Sequence, residues 1–133
     1  MRDSAGQALS LPQASTLTLF AWWFLATAET AGVFDTMTIS LLRPDGVTLA
    51  TLATLDNTAA AGVWQEMAYD LTPYAGQAVT IRFAARTDQD NISDFYLDDI
   101  ALWACSASAS PTPTPTHTPS RTRTSTTTPT ATP

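Results

Sequence analysis

The chain has 133 residues, with twelve acidic and six basic side chains, a formal net charge of −6, one cysteine and one histidine. Residues 106–133 hold 16 Ser or Thr and six Pro and no large apolar side chain. They cannot bury enough surface to offset their chain entropy, which leaves residues 1–105 to form one small domain and predicts a disordered tail or linker over 106–133. That domain carries all twelve acids against Arg2, Arg43, Arg82 and Arg86, a net −8, a balance that argues against nucleic acid or an anionic membrane as partner and suits a surface module or a cation site.

Taken in order, Met1 to Pro12 shows neither a capping box nor a helical period, and GQALSLP reads as the end of a strand. Leu17 to Ala26 (LTLFAWWFLA) admits two readings. With Arg2 upstream and Ala26-Thr27-Ala28 downstream it has the outline of a secretory signal, while its Thr, Phe and Trp content favours a strand; it is too short to span a bilayer. We read it as a strand. Glu29 to Phe34 is a turn region around Gly32. In Thr36 to Leu42, Met37, Ile39 and Leu41 alternate with Thr38, Ser40 and Leu42, and Arg43-Pro44-Asp45-Gly46 supplies the tight turn of a hairpin. Val47 to Leu55 (VTLATLATL) is its return strand, with less sharply divided faces. Asp56 to Gly62 is a small-residue loop.

The clearest periodicity lies between Val63 and Cys105. Val63, Met67, Tyr69 and Leu71 oppose Trp64, Glu66 and Asp70; Val79, Ile81, Phe83 and Ala85 oppose Thr80, Arg82, Ala84 and Arg86. Phe95 to Trp103 is apolar almost throughout except at Asp98 and Asp99. No run of ten residues shows a 3.6-residue period, so the domain is expected to be all-β, with about six strands in a two-sheet antiparallel sandwich.

Trp64 opening a strand, Tyr69-Asp70-Leu71, Pro73 to Gln77 (PYAGQ), Ile81-Arg82-Phe83, and Phe95 to Leu102 (FYLDDIAL) together resemble the MAM-like and galactose-binding-like jelly-roll domains. These accompany secreted bacterial proteins such as immune-inhibitor-A type metallopeptidases and carbohydrate-active enzymes. The similarity runs over residues 7–105 and is densest from Trp64 onward. It implies a non-catalytic accessory jelly roll, extracellular or at the cell surface, that engages carbohydrate or protein. The alternative is a structural spacer, or the C-terminal fragment of a secreted peptidase or glycoside hydrolase. Members carry further strands ahead of the segment matching Gln7 to Phe20, so the domain is expected to be incomplete at its N-terminus, with an exposed sheet edge open to dimerisation.

Strand alternation sends Asp98 and Asp99 to opposite faces, so one carboxylate is expected to approach the core, where a charge needs a partner. It also keeps the two from acting as a glycosidase dyad. By the resemblance, a structural Ca²⁺ takes Asp98 as its first ligand; otherwise Asp98 is hydrogen-bonded to a neighbouring loop or to Arg82 or Arg86. The loop Thr87 to Asp94 (TDQDNISD) lacks the Gly and Glu of an EF-hand and reads as a polar hairpin turn. Trp22, Trp23 and Trp64 are the candidate ligand-binding residues, with ring stacking on sugar as the chemistry and core packing as the alternative. Trp22 and Trp23 are adjacent, so one is expected inside and one outside. Tyr74 is expected to plug one end of the sandwich. His117 sits in the tail and Cys105 has no basic neighbour in sequence, so no positioned base or activated nucleophile is evident, and the chain is not expected to be an enzyme.

Overall fold

The computed structural model describes residues 1–106. Seven strands run in the order β1 (Arg2–Ser10), β2 (Thr16–Thr27), β3 (Thr36–Leu42), β4 (Thr48–Asp56), β5 (Trp64–Asp70), β6 (Ala78–Arg86) and β7 (Ser93–Cys105), with one 3₁₀ turn at Thr72–Tyr74. They form two antiparallel sheets, β1-β6-β3-β4 and β5-β2-β7. The all-β two-sheet sandwich expected from the alternation is therefore present. Leu17 to Ala26 is the middle of β2, the central strand of the smaller sheet.

The core sits between the sheets. Leu17, Leu19, Ala21, Trp23 and Leu25 come from β2, Met67 from β5, Met37, Ile39 and Leu41 from β3, and Val79, Ile81 and Phe83 from β6. Each set follows the two-residue period of its strand, which is why these runs fold as strands rather than helices. Tyr74 packs against this core from the 3₁₀ turn, and Gly76, at φ +78°, donates its N–H to the Leu11 carbonyl at 3.0 Å.

The β3–β4 hairpin turns at Arg43–Val47, where the Arg43 N–H reaches the Val47 carbonyl at 2.8 Å and Gly46 takes φ +83°. In β4 the apolar residues recur every third position, Leu49, Leu52 and Leu55, and all three pack on the core. A strand reaches such a period only by resetting its phase. The register slips between Ile39 and Ser40, passing over Leu52, and between Leu41 and Leu42, passing over Leu49. Two bulges thus turn a three-residue repeat into a one-sided strand, which explains why the faces of this segment looked poorly divided in sequence.

A third bulge corrects the reading of β7. Phe20 pairs with Ala101 and Trp22 with Asp98, so Asp99 and Ile100 together oppose Ala21 alone. Asp99 takes φ +49°, and the Asp99 N–H donates to Asp98 Oδ1 at 2.8 Å. The phase flips at this point: Phe95 and Leu97 face the core before it and Leu102 after it. Asp98 and Asp99 are both exposed. Neither carboxylate enters the core, because the bulge absorbs the residue that simple alternation would have turned inward.

Candidate functional site

The outer face of the β5-β2-β7 sheet is unusually aromatic. The register sets Trp64, Phe24 and Tyr96 in one cross-strand row, Glu66, Trp22 and Asp98 in the next, Ala68, Phe20 and Ala101 in a third, and Asp70, Thr18 and Trp103 in the last. Trp22 is 39% exposed, Trp64 49%, Tyr96 50% and Trp103 65%. Phe24 lies between two partners, its ring centroid 5.4 Å from Trp64 and 6.0 Å from Tyr96, while Phe20 meets Trp103 edge-on at 5.7 Å. These contacts fix Trp64, Tyr96 and Trp103 against a half-buried floor of Phe20 and Phe24. Phe20, Trp22, Glu66, Asp99, Ala101 and Trp103 line a depression of about 340 Å³.

The strand period makes the β2 part of this face. Phe20, Trp22 and Phe24 are the outward positions of β2, and the core takes the residues between them. Of the candidate residues read from sequence, Trp22 and Trp64 stand on this face. Trp23 does not: it is 4% exposed and belongs to the core, because it follows Trp22 in an unbulged part of the strand. Tyr96 and Trp103 were missed as candidates. Only the bulge at Asp99 brings Trp103 to the same side as Tyr96, and nothing in the local sequence announces a bulge.

The face bears the carboxylates Glu66, Asp70, Asp98 and Asp99 and no basic side chain on its paired positions. Oriented carboxylates among exposed rings accept hydroxyl hydrogen bonds while the rings bury C–H surface. That combination suits a neutral polyol ring and repels an anion.

Asp98 was also the expected metal ligand, and it lies on this aromatic face with its Oδ1 taken by the Asp99 N–H. Among the described residues, the carboxylates with oxygens within 4.8 Å of one another are instead Glu29, Asp35 and Asp88. Asp35 is fully buried just ahead of β3. Its Oδ1 accepts the Asp88 N–H at 2.8 Å and its Oδ2 the Ser93 N–H at 2.9 Å, so it pins both ends of the Asp88–Ser93 loop. Asn57 in turn accepts the Phe34 and Asp35 N–H groups and donates to the Gly32 carbonyl. Partial desolvation raises the Glu29 carboxyl above its ordinary range, and the neighbouring Asp88, Asp35 and Asp90 push it the same way. The group offers three oxygens where Ca²⁺ takes six to eight, and the buried oxygens already hold backbone donors. Its demonstrable role is loop anchorage.

Compared with models of known protein families, the chain matches none, and no curated protein matches it.

Proposed function

We propose that this domain is a non-catalytic recognition module of a secreted or surface-displayed protein, and that it binds carbohydrate on the outer face of the β5-β2-β7 sheet. One observation carries the reading: four exposed aromatic rings, Trp22, Trp64, Tyr96 and Trp103, share one sheet face with Glu66 and Asp98 interleaved between them. Leaving so much ring surface in water is costly unless a partner covers it. Exposed rings on successive cross-strand rows offer apolar surface to pyranose units, and the carboxylates between them accept sugar hydroxyls. The resemblance of Trp64 to Leu102 to accessory jelly rolls supports the same reading, as does the spacer-like Thr/Pro composition of residues 106–133.

Titrating neutral oligosaccharides while following tryptophan fluorescence tests it. A saturable change is expected, weakened about tenfold or more when one anchoring ring is removed in Trp22→Ala or Trp64→Ala. No saturable response from any neutral glycan, or a response that both variants leave intact, refutes it. The Ca²⁺ that the resemblance implies, with Asp98 as its first ligand, is tested separately: a melting midpoint unmoved by EDTA and by added Ca²⁺ removes that part of the reading.

A further inference from the structure

The opposite surface of the sandwich has the reverse chemistry. Arg2, Arg82 and Arg86 are three of the four basic residues of the described domain, and all line one depression of about 510 Å³ on the outer face of the β1-β6-β3-β4 sheet. Arg2 and Arg86 are direct cross-strand partners, and Thr36 flanks Arg86 on its other side. Arg82 lies between Gly6, which contributes no side chain, and Ser40. Hydroxyls surround the three cations: Ser4, Thr36 and Thr38 line the same depression.

Among the described residues no ion pair compensates this cluster. The ion pair that forms among them is Arg43 with Asp45, in the distant hairpin turn. Asp3, the carboxylate at the rim, has its Oδ1 engaged by the Ser4 N–H at 2.8 Å. Asp56, beside Thr36 in the register, holds the amide and hydroxyl of Thr58. Like charges directly opposite on neighbouring strands repel, so placing Arg2 against Arg86 works against the sheet. A second observation is independent of charge. The buried Nε–H of Arg82 meets no acceptor, and its cross-strand neighbour Ser40, 2% exposed, has a hydroxyl with no hydrogen-bond partner. Buried polar groups are ordinarily satisfied, and an Arg whose donors lack acceptors is prepared for an oxyanion, whose geometry the guanidinium fork matches.

We infer that the Arg2–Arg82–Arg86 depression is an anion site for a sulfate or carboxylate group, on the sheet face away from the aromatic platform. The bound oxygens relieve the Arg2–Arg86 repulsion and accept from the guanidinium groups that line the depression. The site stands whether or not the aromatic face binds sugar, because it shares no residue with it.

The test follows the arginine Nε–H signals of the full ¹⁵N-labelled chain by NMR, with chloride replaced at constant ionic strength by sulfate or by acetate. The Arg82 Nε–H signal is expected to shift saturably with an oxyanion and not with chloride. Tighter binding of sulfate assigns a sulfate ester as the ligand group, and tighter binding of acetate a carboxylate. R2Q/R86Q, changed at two exposed positions, should weaken the binding at least tenfold; R2Q and R86Q singly, each weakening it several-fold, serve if the double variant unfolds. A shift that chloride reproduces, that never saturates, or that the variants leave unweakened overturns the site.

Discussion

Trp22 and Trp23 are neighbours in β2 and stand on opposite sides of the same sheet, one in solvent with Glu66 and Asp98 beside it, the other in the core with Leu25 and Ile39. The pair separates stability from recognition. Trp23→Ala opens a cavity among close-packed side chains and is expected to cost about 3–5 kcal/mol of unfolding free energy. Trp22→Ala removes a ring that is 39% exposed and is expected to cost less, about 1–2 kcal/mol. Denaturant unfolding of the two variants checks this; equal losses would mean that the two sides of β2 are wrongly assigned.

Asp35 organises the end of the sandwich where β3 begins and β7 begins. Removing its carboxylate in Asp35→Ala strands the Asp88 and Ser93 amides, each at about 1–3 kcal/mol where buried. A loss of about 2–4 kcal/mol is expected, with Asp35→Asn intermediate because it keeps one acceptor oxygen. Hydrogen exchange should report the opening first at Asp88 and Ser93. Unchanged protection of both amides in Asp35→Ala would disprove the anchoring role.

The pH dependence has two limbs of opposite sign. Glu29 is raised above its ordinary 4.5, so the folded state holds this proton more tightly than the unfolded chain. Its contribution is fully present below pH 4.5 and is lost as pH rises through the raised folded value. Asp45, Asp56 and Asp70 are lowered below 3.8, the first chiefly by the Val47 backbone N–H and the other two by the hydroxyls of Thr58 and Thr72. Their contribution is present above pH 3.8 and is lost as pH falls through their folded values. Glu29→Gln is expected to flatten the higher-pH limb and leave the acid limb in place. Melting midpoints across pH 2 to about 7 read both limbs, and an unaltered higher-pH limb in the variant would contradict the assignment.

The β7 bulge makes a sharper prediction. Asp99→Gly suits the left-handed conformation and is expected to be tolerated, whereas Asp99→Val places a β-branched side chain at φ +49° and should cost about 1–3 kcal/mol. Deleting Asp99 leaves Ile100 alone opposite Ala21 and restores plain alternation from Asp98 to Ala101, so Leu102 stays inward and Trp103 outward. A folded deletion variant with the tryptophan emission of the parent is expected; a changed emission would show that residues 101–105 had lost the phase that the register gives them.

Much of the fold was legible because β3, β5 and β6 alternate cleanly and Pro44-Asp45-Gly46 marks its turn without ambiguity. What local sequence could not supply was phase after a bulge. β4 with its leucines every third residue, and β7 across Asp98 and Asp99, both depend on extra residues that are visible only once their partner strands are known. Asp35 was missed for a different reason: the amides it holds are 53 and 58 residues away, so its value is entirely tertiary. Trp22 was recognisable as a candidate because adjacent strand residues must diverge, but which of Trp22 and Trp23 faces out depends on where the second sheet packs. The arginine depression was hidden similarly, since Arg2 and Arg86 meet only through the β1–β6 register.

The central claim is that the rings outside the β5-β2-β7 sheet, and not those inside it, meet the ligand. The chain has four tryptophans, hence four indole N–H signals, and an NMR titration with a neutral oligosaccharide reads each separately. The account predicts saturable shifts at Trp22, Trp64 and Trp103 with Trp23 unmoved. No indole responding to any neutral glycan, or Trp23 responding while Trp22 and Trp64 stay fixed, would contradict it.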